Sequence, residues 1–300
     1  MSNKTTLMMT PTARMGRLIA EGLSQLDEGG LLLAPRDPDL RAQLPEGWAH
    51  LQGDSFDNET LLANVRTADH VVLVFKEGEG GDPAEMSLLS NIADTLEKTQ
   101  GTLVIGREMS LEVPQPDQIG NQRQGALIRK AEDMLLDRSL TGGFRLALVA
   151  IPHIYGPGTP SEGLQERLSA AASGSPYTWP GKPDQEPQLI HIEDAAKDLV
   201  AAFQLAGRGG ERLWVAGAPE VTMSSLAQLV SEITGGRSRV SWPDVTFMES
   251  LRGKYTRSTA RSRPFARIPP GRELTPQSGQ RKPLGEGLRE TLLSLSKVMT

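Results

Sequence analysis

The chain has 300 residues and a formal net charge of -5, from 32 basic and 37 acidic side chains, with four histidines and no cysteine. That length can bury one large core or a nucleotide-binding-sized domain with a smaller lobe, and two lobes are the expectation. Mixed charge without a long one-sign block, and only 4% aromatic residues, speaks against a nucleic-acid-binding surface; disulfides are excluded, and the scattered His50, His70, His153 and His191 lack metal-ligand spacing.

The amino-terminal MSNKTTLMMTPTARMG has too short an apolar run for a signal peptide or a spanning helix, and no other segment reaches transmembrane length. A soluble cytoplasmic protein without a membrane partner is expected. Thr6 to Thr10 reads as a first strand and Met15 to Leu26 as an amphipathic helix, joined by the turn Pro11-Thr12-Ala13-Arg14. Leu31 to Ala34 is a second strand, ending at Arg36-Asp37. A helix-poor stretch leads to Trp48, then a strand around His50-Leu51-Gln52 that terminates at Gly53-Asp54. Asp57 to Val65 has cap-like residues followed by helical apolar spacing. His70 to Phe75, HVVLVF, has the continuous apolar character of a strand buried on both faces.

The alternation continues with a helix over Pro83 to Lys98, a strand over Thr102 to Ile105, a loop over Glu112 to Gln122, a helix over Arg123 to Arg138 and a strand over Phe144 to Ala150. Helices alternating with buried-type strands imply an α/β fold, a Rossmann-like doubly wound parallel sheet. Right-handed crossovers would gather the loops at the carboxyl ends of the strands around one crevice, where ligands sit in this architecture. After Tyr155-Gly156-Pro157-Gly158 the pattern becomes less regular. Leu164 to Ala172 reads as a helix and Ser173 to Pro187 as turn-rich chain. A helix over Glu193 to Leu205 and a strand over Arg212 to Val215 are expected to return to the sheet. Ser224 to Ile233 is a helix capped by Thr222 or Ser224. Ser241 to Pro276 is irregular and basic, and Glu286 to Lys297 supplies a terminal helix. The expected division is a nucleotide-binding core over 1–156 and a mixed region over 157–300. Within the latter, a small carboxyl-terminal substrate lobe takes roughly 157–187 and 236–280, while 188–235 returns to the core.

Several phrases, in this order and spacing, resemble the extended short-chain dehydrogenase/reductase family, also called the NAD-dependent epimerase/dehydratase family, over nearly the whole chain. Leu51-Gln52-Gly53-Asp54 followed by Asp57 resembles the end of the family's third strand, which implies Asp54 near an adenine. Ile154-Tyr155-Gly156-Pro157-Gly158 resembles the junction into the substrate lobe, and His191-Ile192-Glu193-Asp194-Ala195-Ala196 the opening of a late helix. Val215-Ala216-Gly217, then Val221-Thr222-Met223, resembles the next strand and helix. The resemblance implies a small-molecule substrate and a dinucleotide, NADP or NAD.

The chemical positions depart from the family pattern. Its Gly-x-x-Gly-x-x-Gly turn falls on Thr10, Ala13 and Gly16, where glycines would allow a diphosphate to approach a helix amino terminus. Thr10, Thr12, Ala13, Arg14, Met15 and Gly16 are the candidate phosphate contacts, with the β-carbons of Thr10 and Ala13 expected to narrow the channel and Pro11 removing a donor. An intact dinucleotide, another phosphate-bearing ligand and no phosphate ligand all stay open. Arg36 beside Asp37 favours NADP where a dinucleotide binds, and a solvated strand-end pair otherwise.

The family's Tyr-x-x-x-Lys pair falls on Ala126 and Lys130, so the phenol that would exchange a proton is missing. Lys130 is a candidate to hold a ribose or substrate oxygen, against the reading of a solvent-facing helix residue. The serine usual after strand five is displaced by Ile105-Gly106-Arg107-Glu108, and Arg107 and Glu108 offer an ion pair or an acid/base at the crevice. His153 and Tyr155 are candidates for an active-site rim; the alternative is that both order the interlobe turn. His191 is expected to position a loop. Lys254, Arg257, Arg261 and Arg263 offer either a collector for an anionic substrate or a solvated loop, and Tyr177 with Trp179 either an apolar wall or the closure of the small lobe. Three functions remain: atypical, non-redox chemistry on a small molecule; an NADP-dependent reductase or epimerase with a relocated proton donor; and a non-catalytic ligand sensor or assembly protein. A homodimer stays open beside a monomer.

Overall fold

Continuous apolar runs separated by amphipathic helices build one sheet with both faces covered. The computed structural model describes residues 5–35, 37, 39–52, 58–76, 81–108, 119–159, 162–178, 183–184, 186–215, 221–236, 240–241, 272–274 and 281–298. Among these, the strands β1 (Thr5–Met9), β2 (Gly29–Ala34), β3 (Trp48–Gln52), β4 (His70–Phe75), β5 (Thr102–Glu108) and β6 (Arg145–Ile151) are the parallel core of the sheet. On its far side β11 (Glu211–Val215) and β13 (Arg272–Leu274) extend it, also parallel, giving the order β13-β11-β6-β5-β4-β1-β2-β3. The short β10 (Gly207–Arg208) pairs antiparallel with β6. The order reverses between β1 and β4, the point at which doubly wound sheets open a crevice at their carboxyl edge.

Every residue of β4 is buried, which is what a central strand sandwiched between helix layers requires. On one face lie α1 (Ala13–Ser24), the single-turn α2 (Leu40–Gln43) and α7 (Ile192–Leu205), packed through Met15, Ile19, Leu23, Leu199 and Phe203. The other face is covered by α3 (Asn58–Val65), α4 (Pro83–Thr99) and α5 (Ile119–Gly142), through Leu61, Leu88, Leu96 and Leu135. A third cluster forms the small lobe. It brings together β7 (His153–Tyr155), which pairs with β9 (Leu189–His191), and β8 (Tyr177–Thr178), which pairs with β12 (Val240–Ser241). The helices α6 (Glu162–Ser173), α8 (Met223–Ile233) and α9 (Leu284–Val298) close it.

Four details differ from the sequence reading. β5 runs on to Glu108 because its register with β6 continues to Ile151, so Arg107 and Glu108 are strand residues. The stretch expected to be helix-poor contains α2, whose Leu40 inserts into the core. Arg272–Leu274 does not stay in the small lobe but pairs with β11 at the edge of the main sheet. Helix α8, read as returning to the main core, packs into the small lobe instead, because Met223, Leu226 and Val230 make an apolar stripe that meets Leu288 and Leu292 of α9.

Candidate functional site

The first crossover sets the geometry of the crevice. Thr10 continues β1 by one residue, its amide donating to Leu33 O at 3.2 Å, and Thr12, in extended conformation, caps α1. The Thr12 hydroxyl accepts from Met15 N at 3.3 Å and its carbonyl accepts from Gly16 N at 3.2 Å. Two amides of the first turn are thereby satisfied internally. Those of Ala13 and Arg14 lie at the open end of the helix, where the partial positive charge of the axis is concentrated. Thr10 is wholly buried and its hydroxyl donates to Thr12 O at 3.0 Å. Ala13 and Met15 pack in the core. Both side chains turn inward, Thr10 bracing the turn and Ala13 packing against the core. Gly16 permits this closeness, since a β-carbon there would lie 2.5 Å from Leu32 Cδ1 and 2.7 Å from Thr10 Oγ1.

Pro11, Thr12 and Arg14 are the half-buried parts of the turn. Arg14 reaches across to α7, its Nη2 3.2 Å from Glu193 Oε1. A helix end offering two amides beside a guanidinium fits a phosphate-bearing ligand such as a dinucleotide. Arg36 and Asp54, the expected phosphate and adenine contacts, lie outside the described residues.

The expected acid/base groups are dispersed. Ala126 and Lys130 are both exposed on α5, whose buried stripe runs through Ala131 and Leu135. Among the described residues no ion pair to Lys130 is seen; Glu132 turns instead to Arg212 and, at 3.8 Å, to Arg107. Arg107 lies with its guanidinium carbon 4.3 Å above the Phe75 ring and bonds the buried Glu85 of α4. It ties β5 to the helix layer. Glu108 is buried, and its Oε1 accepts from Ile154 N at 3.0 Å and stands 3.2 Å from His153 Nδ1. The His153 amide donates to Gln188 O at 3.0 Å. This set of bonds joins the end of β5 to the entry into the small lobe.

Tyr155 belongs to the small-lobe core and meets His191 edge to face at 5.3 Å between ring centroids. Burial pushes its phenol well above the ordinary value, and the charges of Asp194 and Glu290 push it further. A dehydrogenase tyrosine requires the opposite shift. Tyr177 is buried in the same cluster, while Tyr255, Trp179, Ser110 and Lys254, Arg257, Arg261 and Arg263 lie outside the described residues. His191 caps α7, Nδ1 accepting from Glu193 N at 3.4 Å. Sequence reading passed over the network around it: Glu193, Lys282 and Glu290, joined by Lys282 Nζ contacts of 2.9 Å and 2.8 Å. The phrase HIEDAA marked the helix start, but no spacing connects it to residues almost ninety positions away.

No protein-family model matches the sequence, and no curated protein matches it. Solved structures do match it over their whole length. The UDP-N-acetylglucosamine 4-epimerase of Methanobrevibacter ruminantium M1, in complex with UDP-N-acetylmuramic acid, superposes with a TM-score of 0.69 at 14% identity, covering 100% of both chains. The chain shares that structure's fold, a doubly wound parallel α/β sheet with added carboxyl-terminal elements. The Thermus thermophilus UDP-glucose 4-epimerase complex with NAD gives a TM-score of 0.65 at 17% identity, covering 97% of this chain and 99% of that one. Pal from Bacillus thuringiensis gives 0.68 at 14%, covering 98% and 99%. Among the described residues no helix is long and apolar enough to cross a membrane, and no group of three or more His, Asp or Glu could hold a metal ion.

Proposed function

We propose that the chain binds a phosphate-bearing small molecule, NADP or NAD foremost, in the crevice at the carboxyl edge of its sheet, and that any chemistry there does not use a tyrosine as proton donor. Among the described residues, which do not include Tyr255, the placement of the phenols carries this reading. Ala126 occupies the exposed helix position of the family tyrosine, while Tyr155 and Tyr177 are sealed in the small-lobe core. A bound dinucleotide would supply a hydride acceptor or donor. The amides of Ala13 and Arg14, the Arg14 guanidinium and Lys130 are the groups assigned to hold it. Thr12, with its hydroxyl engaged by Met15 N, fixes the direction of α1 towards the ligand.

Support for the ligand class comes from the fold and from related structures that hold NAD or a UDP-sugar. An anionic substrate suits the same end of the crevice, because α1 presents its positive pole there. Calorimetric titration with NADP, NAD and their reduced forms tests the binding. Saturable heat with a one-to-one stoichiometry is expected, and a folded sample that binds none of the four rejects the reading.

A further inference from the structure

Charged groups from three distant stretches of chain converge beside the first turn of α1. Glu193, in the first turn of α7, stands between two cations: its Oε1 lies 3.2 Å from Arg14 Nη2 and its Oε2 lies 2.9 Å from Lys282 Nζ. Lys282 Nζ also meets both oxygens of Glu290, at 3.0 Å and 2.8 Å. Glu290 belongs to α9, and its Oε2 lies 3.6 Å from His191 Nε2. The backbone before α9 is fixed to the same helix α7, with Lys282 N donating to Asp194 Oδ2 at 2.8 Å and Arg281 Nη1 lying 2.5 Å from Asp198 Oδ2. A line of alternating charge therefore runs from the crevice, through Glu193, to the carboxyl-terminal helix. Burial alone would raise the Glu193 carboxyl, but its hydrogen bond to the Lys282 ammonium and the charges of Lys282, His191 and Arg14 hold it below the ordinary carboxylate value. It is an anion shared by two partners.

We propose that Glu193 is a switch through which an anionic ligand at the first turn of α1 controls how firmly the segment leading into α9 is held. The proposal rests on the reading of that turn as a phosphate site. A phosphate there competes with Glu193 for the Arg14 guanidinium, which is 32% exposed in its side chain and so accessible to a ligand. Once Arg14 has turned to the ligand, the Glu193 carboxylate has Lys282 as its remaining cation, and the bond between α7 and the chain ahead of α9 tightens. The coupling is reciprocal by thermodynamic necessity: whatever strengthens the Arg14–Glu193 pair weakens anion binding. Ligand occupancy would thus be reported at α9, which also covers Tyr155 and His191 in the small lobe.

The test uses the full chain, with NADP and inorganic pyrophosphate as separate probes, calorimetry for affinity and amide hydrogen exchange for residues 281–290. Saturating probe is expected to slow exchange over 281–290 and leave α3 unchanged. Glu193→Gln, which frees Arg14, is expected to bind each probe roughly two- to fivefold more tightly, the range for one partly exposed ion pair. Its exchange over 281–290 should be faster than in the native chain and no longer respond to probe. Arg14→Gln should bind more weakly and show the slow exchange with no probe present. If the native chain binds a probe while 281–290 exchanges at an unchanged rate, or if Glu193→Gln binds with native affinity, the switch is overturned and the phosphate site stands. If neither probe binds the folded native chain, both fall together.

Discussion

Glu108 is the residue whose role in joining the two lobes is tested most directly by stability. Its Oε1 receives the Ile154 amide at 3.0 Å and approaches His153 Nδ1 at 3.2 Å, and its side chain is fully enclosed. Replacing it by alanine strands both groups without an acceptor in a site that water does not reach. A hydrogen bond to a charged group is worth about 1.5–3 kcal/mol, so losing two predicts a destabilisation of about 3–6 kcal/mol for Glu108→Ala. At about 2–4 °C per kcal/mol, the slope for chains of roughly 150–250 residues, the melting temperature should fall by at least about 6 °C and at most about 24 °C. Glu108→Gln retains an oxygen for the Ile154 amide and should lose less than half as much. Thermal and urea unfolding followed by circular dichroism measure both variants. An alanine variant that melts within about 2 °C of the native chain would refute the claim that Glu108 pins the interlobe connection.

Three further outcomes follow from the small lobe. Gly287→Ala would place a β-carbon 2.9 Å from both Tyr155 Oη and His191 Cδ2; the overpacking of about 1–3 kcal/mol exceeds a helix-propensity gain of about 1 kcal/mol, so a net loss measurable by urea unfolding is expected. His191 is held below its ordinary value of 6.5 by burial and by Lys282, against the opposing charges of Glu193, Glu290 and Asp194. Because the folded value is the lower one, its contribution is fully present above pH 6.5 and is lost as the pH falls below it; a His191→Gln variant should show a flatter stability profile over that acidic window. Tyr155→Phe should leave dinucleotide affinity unchanged and turnover, where a substrate is found, within about twofold, whereas a loss near the 100-fold typical of a removed acid/base would restore Tyr155 as the relocated proton donor.

The sheet was legible because its signals are local. HVVLVF can be little else than a central strand, and the spacing of Met15, Ile19 and Leu23 gives α1 its buried face. Strand ends were less legible: Arg107 and Glu108 are charged, and nothing in the sequence announces that Phe75, Glu85 and the Ile154 amide will receive them inside β5. The turn between β1 and α1 shows the same limit. Thr10 reads as obstructive by residue type, but its hydroxyl folds back onto Thr12 O. The network of Arg14, Glu193, Lys282 and Glu290 depends wholly on tertiary contact. So does the small-lobe position of α8, whose apolar face would have served either core equally well.

The central claim is a nucleotide crevice without a tyrosine proton donor. The most direct measurement is titration of the folded chain with NADP and NAD by calorimetry, repeated on Ala126→Tyr, which places a phenol four residues before Lys130. The account predicts saturable binding by both proteins at closely similar affinity, since position 126 is exposed and makes no part of the phosphate turn. A folded native chain that binds neither dinucleotide would contradict it, whether or not Ala126→Tyr binds.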